Sequence, residues 1–440
     1  MDIYCVLVGY DMSMVKVVIS QVCNVGNKGD QAILKSEVAF LRSIFPGADV
    51  SVSTLWSYEL VARVEPTVRV HSSLVDLRVR NRDVPLVLSP FVFVIQVFLS
   101  TLSALLARCG LPALYRSELI NDFKAANLVL SSGHQPFNEG SFHSKTLWSK
   151  LGSLFVLFWG VMDVLIARKI FKKPFGTFPQ SVGPFNTFWG KLFSRFIFRN
   201  VDFLNLREDV SAGFIRGYSV KKVQILRDMA FLFDVPSVDN SGKYRHPLLG
   251  VSPCFYLGIT QHEKENYVRV SAKALDYLQE KYDFKVVFLP SQTTMGKSMI
   301  MEKVPDDLAA CELIKALMVH KEGVEILRSS SVEEFCDVLA QLDLLVSTRM
   351  HPTILASKVP VPFVEVTYEH KQTGLLRILG LSDVSVPASG ISFEGLVDKT
   401  EYVWKEKDRI CNHLLGAVPA IVGETKRSLE VSLRSALACP

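Results

Sequence analysis

Short β-rich runs alternate with longer helical stretches along most of this 440-residue chain, and that alternation restricts its fold more than any single motif. A strand, a helix and another strand in succession build a parallel sheet through crossover connections, so the chain is expected to be α/β. Strands are expected to begin near Val15, Val50, Val68, Asn127, Pro174, Phe203 and Val223. A polar, proline-flanked stretch from Val235 to Pro247 then breaks the pattern. A second series follows at Tyr256–Thr260, Lys285–Leu289, Gly323–Leu327, Leu342–Ser347 and Pro362–Val366. Helices are expected at Ala32–Leu41, Val268–Lys281, Leu308–Lys321 and Val332–Gln341. Ser331 caps the last of these, and Asp306-Asp307 caps the one from Leu308. The two series share a layout, so two facing Rossmann-like domains, 14–240 and 248–440, with a cleft between them are the economical architecture. The tail from Phe393 to Leu437 reads as two or three helices.

Composition excludes several classes. A hydrophobic share of 49% with 21% charged residues suits a globular chain with an ample core. The net charge of +5 is modest, and no lysine-arginine block is dense or aromatic-interleaved enough to bind nucleic acid. The eight cysteines form no Cys-x-x-Cys pair, so neither a zinc nor a redox motif is visible, and reduced thiols point to the cytosol. No basic segment with a short apolar core and cleavage site opens the chain, so a secretory signal is not expected, and the first dozen residues read as an extension.

Two apolar stretches bear on membranes. Leu86–Ala107 has no formal charge, but Pro90, Gln96 and the hydroxyls of Ser89, Ser100, Thr101 and Ser103 dilute it. Leu151–Ala167 carries Asp163 inside it and ends in basic residues. Buried or amphipathic helices are the first reading, peripheral contact with the inner face of the cell membrane the second, and a true span the third.

The chemistry sits at strand ends. Asn27-Lys28-Gly29-Asp30 lies between the Val15–Val22 run and the Ala32–Leu41 helix. There backbone N–H groups and a helix dipole favour an anion, and Gly26 and Gly29 permit close approach. Ser347-Thr348-Arg349-Met350-His351 follows a strand of the second series, where side chains line the crevice of an open sheet. An imidazole is the side chain suited to shuttling protons near neutral pH, and in an extended segment His351 shares a side with Arg349. Arg207 ends another strand and offers a guanidinium fork. Gln180 and Gly183-Pro184 form a loop leaving a strand, and Asp30 and Asp228 suit a helix cap and a stitch between the domains. No metal site is expected.

Taken in order, Gly26–Asp30, Ser131–His134, Phe178–Phe185, Leu206–Ser211, Arg227–Phe231, Ser347–His351 and Tyr368–Lys371 resemble the polysaccharide pyruvyl transferase family, from about Lys16 to Leu381. The resemblance implies a GT-B-like fold and transfer of the pyruvyl group of phosphoenolpyruvate to sugar hydroxyls, closed as a ketal, with that donor as substrate and no cofactor. It implies catalytic roles for His351, Arg349 and Arg207. Donor contacts fall to Asn27, Lys28, Gly29, Asp30, Gln180 and Lys371, the last in a tyrosine-x-x-lysine segment with Tyr368. His134 and Asp228 are candidates for the acceptor side or a proton shuttle. The family's glycine-rich turn is replaced here by Ser131-Ser132-Gly133-His134, which leaves less room for backbone approach and adds a titratable ring. The acceptor is expected to be a sugar or a lipid-linked oligosaccharide at the cytoplasmic face. The alternatives are a nucleotide-sugar glycosyltransferase on the same scaffold, since fold does not fix chemistry, and an inactive membrane-associated scaffold for polysaccharide assembly. The spacing of Glu365 and Glu369 is too short for the glutamate pair of retaining GT-B enzymes.

Overall fold

In the computed structural model, residues 15–75, 78–79, 82–83, 89–139, 147–235, 246–255, 259–293 and 306–438 are described. β1 (Lys16–Val22) is buried along all but its first residue, as an apolar strand covered on both faces must be. It pairs in parallel with β2 (Asp49–Thr54) and β6 (Leu128–Ser131). β3 (Arg69–Ser72) flanks β2 and β7 (Phe175–Thr177) flanks β6, giving the order β3-β2-β1-β6-β7. A two-residue hairpin, β4 (Arg78–Val79) and β5 (Arg82–Asp83), stands apart. β8 (Leu204–Leu206) and β9 (Val223–Ile225) continue beyond β7 through isolated bridges at Phe203 and Leu206. The seven strands expected in this half all lie within a few residues of their expected starts.

The second sheet repeats the plan. β10 (Leu248–Ser252), β11 (Lys285–Phe288), β12 (Glu325–Ile326), β13 (Leu344–Ser347), β14 (Phe363–Thr367) and β15 (Ser385–Pro387) run parallel in the order β12-β11-β10-β13-β14-β15. Two doubly wound parallel sheets with crossover helices make the chain α/β and GT-B-like. The expectation for the first strand of this half needs correction. Residues 256–258 lie outside the described residues, and the strand is β10, placed earlier. Gly250 obscures it in sequence, yet a Cβ there would stand 2.3 Å from Leu342, so the glycine is what lets the central strand seat. Thr260 belongs instead to the next helix (Gln261–Tyr282), where it forms a capping box with Glu263. β15 has no counterpart among the expected strands.

Ser331 caps the helix Val332–Leu339 as expected. The tail forms two helices, Phe393–Lys405 and Lys407–Ala438. The second returns to the first half, where Ser432 Oγ donates to Gln224 Oε1 at 2.8 Å and Arg434 Nη2 donates to the carbonyl of Ile44 at 3.3 Å. One buried cluster accordingly runs through both sheets, from Val17 and Ile33 to Leu345, Phe363 and Leu429.

Candidate functional site

The C-terminal ends of β1, β6, β8 and β13 bring the motifs together where the halves meet. Asn27 caps the helix Lys28–Ile44 by accepting the Gly29 N–H at 2.8 Å. The Lys28 N–H donates to the Ser291 carbonyl at 2.9 Å, and the Asn27 N–H to that of Asn24 at 3.1 Å. Asn24 Oδ1 accepts the Gly26 N–H at 2.9 Å. The N–H groups expected to cradle an anion are therefore engaged, because the turn closes on itself and on the second half. Asn27 Nδ2 reaches Gln292 Oε1 at 3.5 Å. The Lys28 side chain is buried, and burial lowers its pKa to about 8 against the pull of Glu334 and Glu333. These residues join the two halves.

Gly29 and Asp30 have a different position. The ring of His351 lies on Gly29, so close that a Cβ would fall 2.1 Å from its Cγ and Nδ1. Asp30 does not cap its helix. Its Oδ1 instead lies 3.1 Å from Nδ1 of the buried His134. Burial lowers the His134 pKa, but Asp30 and Glu37 outweigh it and the net shift is upward. Glu37, absent from the sequence reading, accepts from Ser132 Oγ and the Gly133 N–H inside the core, and burial pushes its pKa up to about 7.

His351 Nε2 stands 3.6 Å from Asp228 Oδ2, beyond hydrogen-bond length, and has no other partner among the described residues. Asp228 also accepts from Arg207 Nη1 at 2.6 Å and from the Ala230 N–H at 2.9 Å. Burial works to raise the Asp228 carboxyl, yet Arg207 and His351 hold it well below the usual carboxylate range. A carboxylate kept ionised is ill suited to shuttling protons. Asp228 is better described as the stitch that ties Arg207 of the first half to His351 of the second.

Arg349 and His351 do not share a side. The helix Met350–Lys358 begins between them, with Arg349 in extended conformation as its N-cap residue. Arg349 turns toward Asp307, donating from Nη2 at 2.7 Å and from Nε at 3.2 Å to both oxygens. Burial disfavours the guanidinium, but Asp307 keeps it firmly protonated. Asp306 alone caps the helix Asp307–Leu317. An adjacent aspartate pair announces a cap in sequence and hides the fact that one member is buried under an arginine.

Gln180 is fully buried. Its Oε1 accepts from Ser131 Oγ at 3.2 Å, its carbonyl accepts the Arg207 N–H at 3.1 Å, and its Nε2 has no partner among the described residues. Ser131 also donates to Gln21 Oε1 at 2.6 Å, and Gln21 has a left-handed backbone (φ 65°) at a bulge in β1. Lys371 pairs with Glu369 at 2.7 Å and faces the first half across a crevice of about 20 Å³. Arg207, Arg227 and Asp228 line one wall, and Met350, Ile354 and Lys371 the other. Arg227 has no carboxylate partner among the described residues, and its Nε is unpaired. The crevice holds about one water. Glu365 is internal to the second half, bonded to Thr353 and Gln372, and burial pushes its pKa up to about 8.

Residues 27–370 match the family described as polysaccharide pyruvyl transferase. Over 291 residues, 61% of this chain and 67% of the other, the chain is 24% identical to the amylovoran biosynthesis protein AmsJ of Erwinia amylovora. Among solved structures, a putative UDP-N-acetylglucosamine 2-epimerase from Listeria monocytogenes superposes with a TM-score of 0.60 at 11% identity, covering 96% of each chain. A glycosyltransferase from Rickettsia africae gives 0.55 at 12% identity, covering 98% of this chain and 100% of that one. At such identities the likeness is one of fold.

Proposed function

The chain belongs to the polysaccharide pyruvyl transferase family, and on that premise we propose that it moves the pyruvyl group of phosphoenolpyruvate onto two hydroxyls of a polysaccharide or its lipid-linked precursor. The observation that carries this reading is the convergence of Arg207, Arg227 and Lys371 on one crevice, with the Nε2 of His351 3.6 Å from Asp228, which lines it. Phosphoenolpyruvate presents a carboxylate and a phosphate, and guanidinium and ammonium groups are the donors that both require.

His351 delivers a proton to the methylene carbon, and an oxocarbenium-like centre develops at C2. The ionised Asp228 lies 3.6 Å from the Nε2 of His351. The first sugar hydroxyl attacks C2 and loses its proton. The C2–O bond to phosphate then breaks, the bonding pair leaves with phosphate, and the second hydroxyl closes the ketal as its proton departs. To His134, whose Nδ1 lies 3.1 Å from Asp30 Oδ1, we assign acceptance of a hydroxyl proton. Arg349 supports the site through Asp307 rather than by free charge.

The test is mass spectrometry of surface glycans from cells lacking the gene. Loss of pyruvyl ketals, restored by the intact gene and not by His351→Ala, is the expected result. Unchanged ketal content contradicts the proposal.

A further inference from the structure

The helix Ser89–Arg108 is amphipathic with its faces reversed. Its buried positions are Gln96, Ser100, Ser103, Ala104 and Ala107, while Phe91, Val94, Ile95, Phe98 and Leu105 are exposed, Phe91 by 68%. Each set follows helical spacing, so they form opposite stripes. The inward stripe is fixed by hydrogen bonds: Ser100 Oγ donates to the Leu74 carbonyl at 2.7 Å, and Ser103 Oγ accepts the N–H groups of Leu114 and Tyr115 at 3.1 and 2.8 Å. A helix facing water places its large apolar side chains inward. Here the buried positions are small or polar, so of the buried and amphipathic helices expected from sequence this one is amphipathic.

The inner side of this helix is tied to a second element through Phe93, which is partly buried against the core. Phe93 meets Phe158 at 5.0 Å between ring centroids, Phe158 meets Phe193 at 5.3 Å and Phe193 meets Trp189 at 5.9 Å. This aromatic ladder leads to the helix Phe188–Asn200, where Phe188, Trp189 and Leu192 are exposed at 72%, 53% and 44%. The intervening helix Leu147–Val164 contributes buried side chains, among them Leu157, Trp159 and Met162, so the second apolar stretch of the sequence is core.

Charge identifies what covers the face. Lys191, Arg195 and Arg199 are exposed on the Phe188–Asn200 helix, which contains no acidic residue. Residues 89–116 contain Arg108 and Arg116 and no acid, and Lys169 and Lys172 are exposed where the 165–170 turn packs on the Ser89–Arg108 helix. Glu139, near the start of the Phe188–Asn200 helix, is consumed by the N–H groups of Asn186 and Thr187. Two copies meeting through this face would bring like charges together. Anionic lipid headgroups complement it.

We propose that the outward faces of helices Ser89–Arg108 and Phe188–Asn200 seat the protein on an anionic bilayer. The helix lies in the interface and does not span, because its inner stripe stays bonded to the protein. This surface is defined without reference to donor or acceptor, so its failure leaves the proposed reaction standing.

Co-sedimentation of the full chain with phosphatidylglycerol-containing vesicles, and with phosphatidylcholine vesicles alone, tests it, with size-exclusion light scattering in parallel. The expected result is binding to the anionic vesicles, lowered at least about tenfold in Phe91→Glu/Phe98→Glu and in Trp189→Glu, with unchanged melting temperatures. Lys191→Gln/Arg195→Gln is expected to weaken binding to anionic vesicles, and added salt to act likewise. Wild-type protein left in the supernatant with anionic vesicles overturns the proposal. A dimer abolished by Phe98→Glu, without vesicle binding, overturns it in favour of self-association.

Discussion

The imidazole of His351 rests on the Cα of Gly29, with no room between them for even a methyl group. Gly29→Ala therefore forces the ring or the Lys28–Ile44 helix to move. The expected cost is about 1–3 kcal/mol of stability, as for other overpacked sites, together with a large loss of turnover. Thermal unfolding and steady-state rates check both. His351→Ala added to Gly29→Ala is expected to restore the melting temperature and leave turnover absent, separating the packing role of the pair from its chemistry.

Asp307 is fully buried and pairs with the largely buried Arg349. Asp307→Ala is expected to destabilise the fold by about 3–5 kcal/mol, because it leaves a guanidinium buried without its carboxylate. Replacing both, as Arg349→Met with Asp307→Leu, should recover much of that loss. Equal melting temperatures for wild type and Asp307→Ala would show that the pair holds nothing in place.

Arg227 and Arg207 differ in what they leave behind. Arg227→Ala removes a cation without a carboxylate partner among the described residues, so the melting temperature is expected to stay unchanged while the KM for phosphoenolpyruvate rises roughly 10- to 100-fold. Arg207→Lys breaks the contacts to Ser181 and Asp228, and both stability and donor saturation are expected to fall.

Glu365 gives the stability a pH dependence of definite sign. Its folded pKa is raised by burial from 4.5 to about 8, so its contribution is fully present below about pH 4.5 and is lost as pH rises through about 8. Glu37 acts in the same direction, with a folded value of about 7. Each carboxyl adds a slope of about 1.4 kcal/mol per pH unit within its window. Melting temperatures recorded from pH 5 to 9, in steps, are expected to fall (roughly the range of ordinary buffers), and Glu365→Gln should flatten the decline.

The sheets were readable in sequence because their strands are buried on both faces, and buried parallel strands are written as unbroken apolar runs. β10 escaped because Gly250 interrupts its run, and the reason for that glycine is Leu342, nearly a hundred residues away by sequence. The site motifs were readable as a set, but their orientations were not. Arg349 and His351 separate because a helix starts between them, and Asp307 is claimed by an arginine that no local pattern links to it. Glu37 lies inside an ordinary amphipathic helix, and only the fold brings it under Ser132 and Gly133. For Ser89–Arg108, nearly every position is apolar or small, so periodicity could not say which stripe turns inward.

Titration calorimetry of phosphoenolpyruvate against a panel of nucleotide sugars tests the central claim most directly. Saturable binding of phosphoenolpyruvate is expected, weakened in Arg227→Ala, with no heat from the nucleotide sugars. Binding of a nucleotide sugar with phosphoenolpyruvate silent would contradict the account and assign the crevice to glycosyl transfer.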